Sequence, residues 1–316
     1  MLLVSGTQDW TINVAKEEFP AIRRIYALYG KAENLENAVV DAPHNYNQES
    51  REHVYRFFAK HMLGAQDMSK FHENEAKIEK LGDMLVLHGR ALPAGALTYE
   101  QLFAAWRERA RQQAESEKDP AAIRQHLALV LGAEWPAKVE ATGSDDGLIL
   151  TRQGANDGVP GIFLPGRGVP ALVVHPDGAA KAQQSPTVQA LRKAGRPVLL
   201  IDAFQTGSCV ASRNRSVLHF LAFNVTDDAA RVQDVLTALA YLRTRDSGPV
   251  ELIGLEGASV WALFADALAP SGVVFAPKLG KFAGTDEDFV SGFFVPGIQN
   301  AGGINAALKL VRQVSR

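Results

Sequence analysis

Apolar residues fall into two kinds of pattern along this chain. Short continuous runs alternate with stretches whose apolar positions recur at helical spacing. The run Leu2-Leu3-Val4 opens a strand over residues 2–8 that ends at Asp9, and Val39-Val40 lies in a strand over residues 36–41 that leads to His44. Between them, Phe19, Ile22, Ile25, Tyr26 and Tyr29 fit one face of a helix from Glu17 to Tyr29. Val54, Phe57, Phe58 and Met62 do the same from Glu49 to Leu63, so residues 1–63 read as strand, helix, strand, helix.

Residues 64–136 are charge-rich and mostly helical, and read as a helical connector or cap. Thr98 is placed to cap a helix carrying Leu102, Phe103 and Trp106, and Asp119-Pro120 opens another that ends near Gly132. From 137 to 316 strands return. Gly147–Arg152 and Gly161–Leu164 read as short antiparallel strands between glycines and prolines. Ala171–His175, Val198–Asp202, Val250–Gly254 and Gly272–Phe275 are apolar runs, mostly separated by helical stretches at Ser185–Ala194 and Asp227–Thr244. This alternation predicts an α/β fold, with a mostly parallel sheet covered by helices on both faces. Helices over 286–294 and 303–311 follow.

Composition narrows the function class. At 47% hydrophobic, 22% charged and a net charge of -2, the chain has no basic surface for nucleic acid or membranes. No apolar run approaches the ~18 residues of a membrane span. A lone cysteine, Cys209, excludes an internal disulfide framework and fits a reducing, cytoplasmic setting. No histidine or cysteine cluster has metal spacing, and Gly166-Arg167-Gly168 lacks the strand–helix context of a phosphate loop, so neither metal nor cofactor is expected.

Three segments carry candidate chemistry. Val4-Ser5-Gly6-Thr7-Gln8-Asp9-Trp10-Thr11 is a strand ending in an acid, and Asp41-Ala42-Pro43-His44-Asn45-Tyr46 a strand ending in a histidine. Val250 to Ser259 is a strand turning sharply into a helix. Together with Val174-His175-Pro176-Asp177-Gly178, these resemble the α/β-hydrolase superfamily, in its acetyl-xylan-esterase and dienelactone-hydrolase-like branch, over residues 1–63 and about 145–310. The chain departs from that family twice. The usual order is elbow, acid, histidine, whereas here the acid and histidine lead. Family elbows run Gly-x-Ser-x-Gly-Gly, whereas Gly254-Leu255-Glu256-Gly257-Ala258-Ser259 puts Glu256 in the serine's place.

The resemblance implies two further strands beyond the last, bearing the acid and histidine. Residues 1–63 hold such a pair, so they are expected to complete the sheet of residues 137–316, as a circular permutation. Strands exchanged between copies in a homodimer are the alternative. Met1 at the start of a core strand suggests a truncated or permuted gene, and the chain could equally be the distal part of a two-domain esterase.

The resemblance implies hydrolysis of a small carboxylic ester. His44 would be the general base, Asp9 its orienting acid with Asp41 a weaker substitute, and the amides of Gly257 and Asp177 the oxyanion donors. Glu256 is either a working carboxylate or the mark of an inactive binding or assembly module. Asp9 could instead cap a helix. His175 is expected to bond within its own loop, and Asp202 to lie near the substrate mouth. Ser259, one helical turn past the elbow tip, and Cys209 are alternative nucleophiles, both more readily read as bystanders.

Overall fold

A computed structural model of the protein describes residues 1–75, 77–245 and 248–314. The chain forms two compact units, Met1–Ala96 and Leu97–Arg316.

In the first unit β1 (Leu2–Gln8), α1 (Glu18–Leu28) and β2 (Glu36–Pro43) form a strand–helix–strand crossover, followed by α2 (Gln48–Met62) and the short α3 (Leu81–Met84). β1 and β2 pair in parallel, Leu2 beside Glu36 and Gln8 beside Pro43, with an irregularity between Gly6 and Gln8. Along β2 burial alternates: Ala38, Val40 and Ala42 face inward while Val39, Asp41 and Pro43 are exposed, the two-residue period of a strand. α2 packs across both strands. It starts where Asn47 accepts a hydrogen bond from the Ser50 amide (3.0 Å), a cap contributing about 1 kcal/mol. α1 buries none of its residues, and Ile25, Leu28 and Tyr29 are exposed.

The second unit begins with α4 (Tyr99–Ser116), α5 (Pro120–Leu131), β3 (Val139–Ser144), β4 (Gly147–Arg152), β5 (Val159–Leu164) and β6 (Ala171–Val174). It continues through α6 (Ala179–Gln183), α7 (Pro186–Lys193), β7 (Val198–Ile201), α8 (Phe220–Phe223) and α9 (Asp227–Arg245). β8 (Val250–Gly254), α10 (Ala258–Leu268), β9 (Val273–Phe275), α11 (Asp286–Gly292) and α12 (Gly303–Val314) complete it. Among the described residues its sheet has seven strands in the order β3-β4-β5-β7-β6-β8-β9. Pairing is antiparallel as far as β5–β7 and parallel from β7 to β9.

β6 and β7 are buried throughout because both faces of the sheet are covered. Leu172, Val174, Leu199 and Ile201 point into the larger core with α5, α9, α10 and α12. The alternate residues Ala171, Val173, Val198 and Leu200 meet Ala179, Ala182, Val188 and Leu191 of α6 and α7 on the other face. Each large aliphatic side chain fully buried here contributes about 1.5–3 kcal/mol of transfer free energy.

The α/β class follows the hydrophobic pattern, and the topology differs from the expected circular permutation. Among the described residues, β1 and β2 form a sheet of their own, and the seven-stranded sheet ends at β9. Strands joined by a short crossover pair with each other first, and β1 and β2 have only α1 and its turns between them. The region read as one connector divides between the units. α5 belongs to the second core through Ile123, Leu127 and Leu131, spaced on one helical face.

Candidate functional site

In the first unit, parallel pairing sets the ends of β1 and β2 side by side, which brings Asp9 and His44 together. Asp9 Oδ2 lies 3.1 Å from His44 Nδ1 and accepts from Thr11 Oγ1 at 2.9 Å; Oδ1 accepts from the Trp10 amide at 2.7 Å. Burial acts to raise the Asp9 pKa. The bonds from His44, Thr11 and Trp10 outweigh it and hold the carboxyl below its ordinary range. An ionised carboxylate only accepts, so the proton of neutral His44 sits on Nδ1 and the lone pair on Nε2. The imidazole is 74% exposed and the Asp9 side chain 8%, the arrangement of a base held by a buried orienter. Thr11, missed from the sequence, also accepts from the Gly6 amide at 3.1 Å and so fixes the acid turn. Gly6 is required there, since a Cβ would lie 2.7 Å from the Ala42 carbonyl oxygen. Asp41 is exposed and receives Thr7 Oγ1, so it orients nothing at His44.

The second unit holds the elbow. β8 ends at Gly254, and Glu256 sits at φ +49°, in the left-handed region that non-glycine residues seldom occupy. Gly254 permits the turn, because a Cβ there would lie 2.5 Å from Ser259 Cα. The amides of Ala258, Ser259 and Val260 donate back to the carbonyls of Leu255, Glu256 and Gly257, leaving the Gly257 amide at the head of α10. Glu256 is therefore displayed at the tip, with its side chain 70% exposed.

The loop after β6 brings His175 to the elbow. His175 is 4% exposed, and its Nε2 lies 3.7 Å from Glu256 Oε1. Its Nδ1 accepts from the Asp177 amide at 3.0 Å. That bond corrects the reading of Asp177 as an oxyanion donor: its N–H is already spent on the imidazole. Asp202 also has a structural task. Its carboxylate accepts from Ala179 N at 2.6 Å, Ser208 N at 3.0 Å and Ser208 Oγ at 2.6 Å, tying the β6 and β7 loops together.

Neither alternative nucleophile is equipped for the role. Ser259 is 1% exposed and its Oγ accepts from the Lys278 amide at 3.2 Å, so it packs α10. The Cys209 thiol is pushed up by burial and by the negative charges of Asp202 and Asp234, which keeps it protonated. Among the described residues, no group of three or more His, Cys, Asp or Glu is placed to hold a metal. No described helix is long and apolar enough to cross a membrane.

No protein-family model matches the chain, and no curated protein matches it. Among solved structures it is similar to a protein from Mycobacterium tuberculosis at 18% identity, covering 38% of this chain and 39% of that one, with a TM-score of 0.27. An acetyl xylan esterase from a Thermoanaerobacterium species matches at 12% identity, over 52% of this chain and 59% of that one, with a TM-score of 0.33. An acetyl xylan esterase from a Paenibacillus species matches at 14%, over 67% and 75%, with a TM-score of 0.33. The chain thus spans less than two thirds of the length of the first two.

Proposed function

We propose that this protein hydrolyses small carboxylic esters, with His44 as general base and Asp9 as its orienter. The observation that supports this reading is the Asp9–His44 pair, its acid buried and ionised and its Nε2 lone pair facing solvent. The elbow offers the Gly257 amide as a hydrogen-bond donor and the Glu256 carboxylate as an acceptor. Direct attack by that carboxylate on an ester would give an anhydride, so the nucleophile is water. His44 takes one proton of the water as the oxygen bonds to the ester carbon. The protonated imidazole then gives its proton to the departing alkoxide.

The test is turnover of p-nitrophenyl acetate by wild type and His44→Ala. A loss of roughly 100-fold or more is expected on removing the base. Turnover that is absent in wild type, or indifferent to His44, contradicts the reading.

A further inference from the structure

His175 is buried, yet one ring nitrogen reaches towards the only charged group on the elbow turn, Glu256. Its tautomer follows from hydrogen bonding alone. Nδ1 accepts from the Asp177 amide at 3.0 Å, so in the neutral ring the proton must sit on Nε2. Neither nitrogen then offers a lone pair to a substrate, and His175 cannot be a general base without breaking its loop bond. What remains is a donor: Nε2–H, 3.7 Å from Glu256 Oε1. The Asp177 carboxylate, 3.9 Å from Nδ1, lies on the opposite side of the ring and does not compete for that proton. The gap to Glu256 is longer than a hydrogen bond. The glutamate side chain is exposed, and a small change in its torsions closes the distance, as contacts in an empty site commonly tighten when substrate arrives.

The two residues are rigidly mounted. The amide of Leu255, next to Glu256, donates to the carbonyl of Val174, next to His175, at 2.9 Å, and β6 and β8 pair residue by residue up to Val174 and Gly254. The spacing between imidazole and elbow is therefore set by the sheet.

We propose that His175 is the positioning residue for Glu256: its Nε2–H, fixed by the Asp177 amide across the ring, steers the elbow carboxylate to accept a hydrogen bond from water at the elbow. This rests on the ester-hydrolysis reading for its kinetic consequence, but the pairing itself is observable without turnover. Long-range nitrogen–proton NMR of the imidazole reports the tautomer. The spectrum of wild type is expected to show the Nε2–H form, with a His175 signal that shifts in Glu256→Gln, an exposed substitution that leaves the fold intact. An Nδ1–H form, or a His175 signal unmoved by Glu256→Gln, overturns the proposal.

In kinetics with p-nitrophenyl acetate, His175→Ala is expected to lower kcat by about tenfold or more with KM little changed. His175→Gln, which retains a side-chain donor, recovers part of that loss. Equal kcat in wild type and a folded His175→Ala variant overturns the proposal. Wild type without turnover refutes ester hydrolysis, while a His175 signal that still responds to Glu256→Gln supports the pair.

Discussion

At the scale of single residues, the elbow stores strain where the chemistry is proposed. Glu256 is held at φ +49° by Gly254 below it and α10 beyond it. A left-handed conformation costs a non-glycine residue roughly 1–2 kcal/mol, and its persistence at a tip is a mark of functional sites. Glu256→Gly is therefore expected to raise the unfolding free energy of the second unit by about 1 kcal/mol while lowering esterase turnover. Urea denaturation checks the first half. A variant no more stable than wild type would mean that glutamate fits the turn without strain. Some of this was legible in sequence, since the spacing of Gly254, Gly257 and Ala258 around Glu256 defines an elbow. The Glu256–His175 pairing was not legible, because it depends on β6 and β8 being sheet neighbours although β7 lies between them in the chain.

At the scale of elements, α9 and α10 carry largely buried carboxyl groups. Burial alone pushes Asp266 of α10 from 3.8 to about 7. Asp234 of α9 is also raised to about 7, by burial first and by the charge of Asp157, against the opposing bond from the Phe204 amide. The sign of the consequence is fixed by linkage. Below 3.8 both the folded and the unfolded chain hold these protons. Between 3.8 and about 7 the unfolded chain releases them and the folded one does not, so stability falls as pH rises through this window and then levels. Asp266→Asn, neutral at every pH, is expected to flatten that fall by roughly 1 kcal/mol or more between pH 5 and pH 8. Urea midpoints for the two proteins that run parallel across this range would contradict it. The helices themselves were readable from caps and periodicity: Thr98 forms a capping box with Gln101, and Asp119 with Pro120 opens α5. β3 was missed because only Val139 is buried along it, which leaves no apolar alternation to read.

At the scale of the whole molecule, local pattern identified most strands but not which edges would pair. The four parallel strands, the strands preceding Asp9 and His44, and the turn from β8 into α10 all lie where the hydrophobic runs place them. Their division into two units depends on long-range packing, which no window of sequence encodes. α5 lies in the region read as a charge-rich connector, yet its apolar face seals the core of the second unit. His44 and Asp9 thus belong to one unit and the turn bearing Glu256 to the other. The central claim is that ester hydrolysis depends on the Asp9–His44 pair, and it is tested most directly by removing each member. His44→Ala and Asp9→Asn should be assayed on p-nitrophenyl acetate beside wild type. The account predicts that both lower turnover, His44→Ala by a factor of about 100 or more. Equal turnover in wild type and a folded His44→Ala variant would contradict it.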